Sequence, residues 1–190
     1  MFALLLVLTH GMMQYQEMQW NALVNASDMV GIVEVFGDEE YLVNPDLMRS
    51  GYVTNADGTK TWRGADLDRG MYGRVNAVRM IEIFRAPKNT VVTSGQTLYI
   101  FLPDILLTER SIRSFTKKER YLVFLSVLDP KRFPKASVLK PIHPIKLDTM
   151  RALDLSSVYT LVGGKSGRLI LNEEGSKAVK EVKRMVGIGK

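Results

Sequence analysis

Apolar residues in this chain fall mostly in short blocks with the composition of strands, and sustained helical spacing is found only toward its two ends. Phe2 to Leu8 is an unbroken apolar run, closed by Thr9, His10 and Gly11. From Met12 to Asn25, the residues Met13, Met18, Trp20, Leu23 and Val24 are spaced as one stripe of a short amphipathic helix. Asp28 to Phe36 is rich in β-branched residues and predicts a strand that stops at Gly37. The acidic trio Asp38, Glu39 and Glu40 then reads as a solvated turn. Val75 to Phe84 predicts a long strand, ended by Pro87, which has no ladder donor. Val91 to Thr93 and Thr97 to Leu102 predict a short strand, a turn at Ser94-Gly95, and a longer strand. One or two helical turns are expected within Leu107 to Arg120. Tyr121 to Leu128 is the most hydrophobic strand and is expected to be central. Pro134, Pro141 and Pro144 make Lys131 to Asp148 a looping, extended stretch. Val158 to Val162 and Arg168 to Leu171 predict two strands joined as a hairpin through Gly163 to Gly167. Glu173 to Val186 has apolar residues on one side and Lys and Glu on the other, a terminal amphipathic helix ended by Gly187.

The segment Tyr41 to Arg74 interrupts this order. It is polar, glycine-rich and long for a connection. Within it, Asp57-Gly58 lies between two stretches of strand-forming residues, from Tyr52 to Trp62, which predicts a hairpin tip. The segment is expected to project from the main body. Together these elements predict a mainly β fold. The expected architecture is an antiparallel OB-like β-barrel with an N-terminal helix, a projecting hairpin over 40–74 and a C-terminal helix over 173–187. Residues 12–190 form one domain in this reading. Residues 1–11 are either a signal-peptide remnant or a first apolar segment of the fold. The run is too short for a membrane-spanning helix, which needs about 20 apolar residues. Its length suits the apolar region of a signal peptide and predicts an extracytoplasmic protein, secreted or periplasmic.

Composition removes several chemistries. With 190 residues, 46% hydrophobic and 24% charged, the chain has the make-up of a globular domain. It has no cysteine, so disulfides, thiolate metal sites and cysteine nucleophiles are excluded. Its two histidines, His10 and His143, leave little for histidine-based catalysis. No cofactor or metal is expected. Gly163-Gly164-Lys165-Ser166 ends like a phosphate loop, but Tyr159 stands where the motif needs its first glycine. Asn55-Ala56-Asp57-Gly58 and Asp66 to Gly70 resemble fragments of calcium loops, without the later Glu that completes one. No nucleophile elbow accompanies His143, Asp148 and Ser137. The chain is therefore expected not to be an enzyme.

Three signatures in order carry a family resemblance. They are Ala26 to Val33; Phe84-Arg85-Ala86-Pro87 followed by Gly95 to Ile100; and Lys118 to Leu125 followed by Tyr159, Val162, Gly163, Gly164 and Gly167. Over roughly residues 20–172 the chain resembles the netrin/TIMP-like domains of secreted bacterial proteins. The resemblance implies an OB-type barrel and an exported location. The animal inhibitors of that family bind a protease zinc through an N-terminal cysteine, a mechanism this cysteine-free chain does not share.

Charge is polarised. Residues 1–75 hold five basic and ten acidic residues, and residues 76–190 hold 21 basic and ten acidic ones, for a net charge of +6. The densest basic stretch, 110–146, includes Lys117, Lys118, Lys131, Arg132, Lys135 and Lys140. On an OB-type barrel a basic face with aromatics tracks a nucleic-acid strand. Phe115, Tyr121, Phe124 and Phe133 are the aromatics available there, and at least two are expected in the core. The excursion carries Tyr52, Trp62, Arg63, Arg69, Tyr72 and Arg74, the composition of binding hot spots. The leading expectation is an exported module that contacts a protein or cell-envelope component through the excursion. The alternative is a single-stranded nucleic-acid binder using the basic 110–146 stretch.

Overall fold

The structure is a computed structural model that describes residues 19–48, 51–63, 70–88, 90–103, 115–133, 136–139 and 150–188. The expectations for residues 1–11 and for His143 lie outside them, as does the 107–114 part of the helix expected within Leu107 to Arg120; residues 115–119 form a loop with a turn at Lys117 and Lys118, not a helix. The fold is mainly β. In chain order the strands are β1 (Met29–Val43), β2 (Gly51–Thr54), β3 (Lys60–Arg63), β4 (Met71–Arg85), β5 (Thr97–Pro103), β6 (Arg120–Val127), β7 (Ser137–Leu139), β8 (Arg151–Ala152), β9 (Val158–Leu161) and β10 (Arg168–Ile170). Helix α1 covers 19–26, α2 is the single turn Pro45–Met48, and α3 is Glu173–Met185.

Eight strands form one sheet, and β2 and β3 form a separate two-stranded sheet. Within the large sheet, hydrogen bonding closes on itself in the order β1, β4, β5, β9, β6 and back to β1. All pairings are antiparallel except β5 with β9, where Tyr99 faces Val158 and Phe101 faces Thr160. Alternation along each strand then sorts side chains into the ring or out of it. Met29, Val33, Val35, Val78, Met80, Leu98, Ile100, Leu102, Tyr121, Val123, Leu125, Tyr159 and Leu161 fill the interior, one set from each strand of the ring. On one outer face, Val30, Ile32, Leu122 and Phe124 are covered by Leu23 and Val24 of α1 and by Ala178 and Val182 of α3. Trp20 stacks on Phe124 at 5.7 Å between ring centroids. On the other outer face, Val75, Phe101 and Val158 lie under Leu128, Val138 and Leu153, so the described parts of the 128–157 connection form a cover. This burial of apolar faces supplies most of the driving force for folding.

The terminal helix follows its sequence closely. Asn172 Oδ1 accepts from Gly175 N at 2.9 Å as N-cap. Gly187, at φ +82°, ends the helix in a Schellman turn, with Ile188 N donating to Lys183 O and Gly187 N to Arg184 O.

Several boundaries differ from the sequence expectation. Strand β1 does not stop at Gly37. It bulges there, with Val35 opposite Val78 and Glu39 opposite Asn76, then pairs on to Val43. Gly37 is required because a Cβ would stand 2.6 Å from the Ala77 Cβ. The acidic trio is thus part of a strand, stabilised by basic partners described below. Strand β4 begins at Met71, so the excursion spans 44–70 and leaves Tyr72 and Arg74 in the main sheet. Val91 to Thr93 is not a strand, because Thr93 N turns to the Gln96 side chain at 3.0 Å. The looping stretch after Lys131 contains β7, which pairs with Tyr41 to Val43.

Nor do β9 and β10 form a hairpin. β9 pairs with Leu125 to Val127 of β6 and β10 with Tyr121 to Val123. The opposite edge of β6 belongs to β1 over Arg120 to Leu125. Both segments therefore lie along one edge of β6 as two halves of one interrupted strand, and 162–167 is looped out between them. Its neck is so tight that a Cβ on Gly167 would collide with the Val162 carbonyl oxygen. Gly163 and Gly164, at φ +71° and +59°, turn the chain there. Gly167→Ala is expected to destabilise the fold by roughly 1–3 kcal/mol through this backbone collision. Gly51→Ala, with nothing within 4 Å of its Cβ, serves as control. Urea midpoints at unchanged slope measure both; equal midpoints would mean that the loop neck is not a constraint.

Candidate functional site

The excursion starts from two antiparallel strands that run side by side to its neck. Tyr41 faces Arg74 and Val43 faces Met71 in β1 and β4. The neck is closed by Asn44 N donating to Gly70 O at 2.7 Å. Asn44 also caps α2, its Oδ1 accepting from Asp46 N at 3.0 Å. That single turn drives Met48 into a fully buried site beside Val43 and Leu139. Gly70 makes room for it, since a Cβ there would lie 2.9 Å from the Met48 sulfur. The root of the excursion is therefore a small apolar core.

Beyond the root, β2 and β3 pair with Tyr52 opposite Trp62 and Gly51 opposite Arg63. The tip is fixed by its own bonds. Gly58 N donates to Asn55 O at 2.9 Å, and Asn55 N donates to Thr59 O at 2.8 Å. Gly58 has φ +81°, so Ala56-Asp57-Gly58 is a three-residue loop ending in the left-handed conformation. Asp57 Oδ1 accepts from Thr59 N at 2.9 Å and Thr59 Oγ1 at 2.6 Å. Asn55 Nδ2 donates to the hydroxyls of Thr59 and Thr61, each at 2.8 Å. The bond from the Thr59 hydroxyl, and then that from its amide, hold the Asp57 carboxyl below its ordinary value. Its carboxylate is engaged by the turn, which is the role that the calcium-loop fragment plays here. Residues 54–62 are all exposed, Trp62 at 59%.

The six excursion residues singled out by sequence separate into two groups. Tyr52, Trp62 and Arg63 lie on the hairpin, and Arg69 lies outside the described residues. Tyr72 instead packs edge-on against Phe133 at 5.1 Å. Arg74 sits in β4 with its Nη1 3.5 Å from Glu39 Oε2, its side chain 15% exposed.

The basic residues are also dispersed. Lys117 and Lys118 form the turn before β6, Lys131 and Arg132 the turn after it, and Lys135 and Lys140 lie outside the described residues. The eight residues of β6 set the two turns roughly 25 Å apart. Lys117 binds Asp38 at 2.7 Å and Arg120 binds Glu34 at 3.0 Å, both acids of β1. Glu40, also of β1 and buried, takes Arg151 Nη2 at 2.5 Å. Three bases from later in the sequence thus lie against acids of β1. Of the four aromatics in the basic stretch, Phe115, Tyr121 and Phe124 are buried and Phe133 is half-buried. Sequence reasoning missed Glu40–Arg151, whose partners are 111 positions apart with no local signal.

Among the described residues, no group of three or more His, Cys, Asp or Glu side chains is placed to hold a metal ion. No described helix is long and apolar enough to cross a membrane. Comparison with protein-family models, with curated proteins and with solved structures returned no match.

Met48→Ala is expected to destabilise the chain by roughly 2–5 kcal/mol, the cost of a cavity in the excursion's root. Trp62→Ala, at the exposed hairpin, should stay within about 0.5 kcal/mol of the native chain. Chemical denaturation of the two variants compares them, and an equal loss in both would mean that the hairpin packs as core. The Asp57 contribution to the tip has a depressed carboxyl, so it is complete above pH 3.8 and is lost as pH falls through the lower folded value. The Thr59 amide shift in an NMR titration should therefore stay flat above pH 5, inflect below pH 3.8, and lose the inflection in Asp57→Ala. An inflection above pH 5 would show that the carboxylate is not held by Thr59.

Proposed function

We propose that this chain is a non-enzymatic, exported binding module, an OB-type β-barrel that contacts a protein or cell-envelope partner through the 44–70 excursion. The observation that carries this reading is the hairpin. It stands as a sheet of its own, exposed over residues 54–62, with a self-bonded tip and a rooted base. A hairpin bonded within itself at its tip, with the exposed Trp62 in register with Tyr52 and followed in sequence by Arg63, loses little entropy on binding and has hot-spot composition.

The OB-type reading is supported by connectivity. Numbering the ring strands one to five in chain order, the neighbours run 1-2-3-5-4 and back to 1, with strands three and five parallel. In that fold the connections between strands one and two and between four and five border the ligand face on strands two and three. Here the first is the excursion and the second is 128–157. The second packs on the outer face of β4 and β5, with Leu128, Phe133, Leu153 and Leu155 against Tyr72, Tyr99 and Phe101. The aromatic platform that a nucleic-acid strand would stack on is occupied by the chain itself. This cover, and the ion pairs at Lys117 and Arg120, weigh against the nucleic-acid reading. The exported location rests on the apolar run Phe2 to Leu8.

Cells expressing the full chain are expected to yield a processed N-terminus outside the cytoplasm; an intact cytoplasmic chain would overturn the exported location. A photo-crosslinking residue at position 62 should give a discrete adduct with an extracytoplasmic component. The same residue at Val91, which is 86% exposed on a different turn, should give none. Equal labelling at both positions, or none at 62, would remove the hairpin as the contact element. Single-stranded oligonucleotide should bind weakly and with little salt dependence; tight binding that falls steeply with salt would put the nucleic-acid reading in its place.

A further inference from the structure

We propose that the ring interior next to the β1 bulge is an internal hydration site, where an ordered water donates to Glu39 Oε2 and Asn76 Oδ1. Glu39 and Asn76 face each other directly across β1 and β4. Directly opposed residues of an antiparallel pair lie on one face, with Cβ atoms about 5 Å apart. Asn76 is 1% exposed, and both acceptor atoms are buried and receive no hydrogen bond from the described residues. A buried acceptor without a donor costs roughly 1–3 kcal/mol, and native interiors satisfy such atoms with protein groups or ordered water.

The surrounding charges select water over an ion. The Arg74 guanidinium is 3.5 Å from Glu39 Oε2. Arg168 lies 4.3 Å above the Phe115 ring and 5.8 Å from that of Tyr121. Burial pushes the Arg168 guanidinium below its ordinary range, opposed by Tyr121 and reinforced by Arg74, so the two arginines are electrostatic neighbours. A cation at the two acceptors would face both guanidinium charges, and an anion would face two acceptor oxygens. A neutral water donates to both oxygens and still offers its lone pairs to the arginine side. It also fits if the Asn76 amide is turned over, because water accepts as readily as it donates. Two to four polar partners are what a buried water needs. The ladder is interrupted beside the two acceptors, where three residues of β1, Phe36 to Asp38, are set against Ala77 alone in β4.

Water–protein NOE and ROE spectra of the labelled full chain test this site. Cross-peaks of opposite sign, the mark of a long-lived water, are expected to the Asn76 side-chain amide, the Glu39 methylenes and the Val78 methyls. Glu39→Gln keeps an acceptor and should retain them. Asn76→Leu removes the second acceptor and should lose those to Glu39 and Val78. Their absence from the native chain, or their persistence unchanged in Asn76→Leu, would overturn the proposal. If Asn76→Leu does not fold, the native chain and Glu39→Gln decide it, since absence from both rejects the site.

Discussion

Strand β1 has to serve three neighbours at once. Over its 15 residues it pairs with β4 along one edge, and with β6 and then β7 along the other. The ring closes only because its first half reaches β6, and the excursion is rooted only because its second half reaches β7. A regular strand of this length, carrying the right-handed twist of β-structure, would not keep one register with both. The bulge between Val35 and Glu39 re-aims the chain, as such irregularities do in curved sheets. Gly31 and Gly37 permit this. A Cβ on Gly31 would collide with the Glu82 carbonyl oxygen, and one on Gly37 would press on the Ala77 side chain. Backbone approach at these two points is the constraint that fixes where the ring, its covers and the excursion lie.

The same strand explains the uneven charge of the sequence. Part of the contrast between an acidic first half and a basic second half arises because β1 is laid beside basic partners from later in the chain. Glu34 meets Arg120, Asp38 meets Lys117, and Glu40 meets Arg151. The exposed pairs contribute little each to stability, about 0–1 kcal/mol. Glu40 differs because it is buried, and Arg151 also lies 5.6 Å from the Tyr99 ring, so this pair ties the 128–157 cover to the ring. Removing Arg151 would leave the buried Glu40 carboxylate uncompensated. Three of the bases behind this asymmetry are thus engaged by acids of β1 and are not free to act as a binding field.

How far the sequence could be read follows from which interactions are local. The terminal helix, with its cap at Asn172 and stop at Gly187, depends on contacts within a few residues and was legible. So was the hairpin tip, where Asp57-Gly58 sets the turn. The burial of Tyr121 and Phe124 followed from the apolar density of β6. The hairpin expected at Gly163 to Gly167 failed because local turn chemistry is the same whether a strand folds back or resumes along the same neighbour. Only the pairing of β6 with both halves decides between these. The end expected for β1 at Gly37 failed for a related reason. Gly followed by acids is a turn signal unless distant bases and an opposing Ala77 make it a bulge. Tyr72 was assigned to the excursion because its partner Phe133 is remote in sequence. Of the candidate site, the tip and Trp62 were legible, and the root through Met48 was not.

The division of labour between the two long connections follows from what each buries. The 128–157 segment carries Leu128, Val138 and Leu153 at positions that meet the apolar outer face of β4 and β5, and it is consumed by covering that face. Among its described residues the 44–70 segment has one comparable anchor, Met48, placed immediately after its neck. Past that anchor, its described residues satisfy their polar groups within the hairpin, through Asn55, Asp57, Thr59 and Thr61. An isolated two-stranded hairpin is marginal in water, so it needs a rooted base and an internally bonded tip to hold its shape. This one has an internally bonded tip, and the excursion that carries it is anchored at Met48. The hairpin is bonded within itself at its tip and exposed over residues 54–62, with Trp62 at its surface, so these described residues are held in shape without being buried.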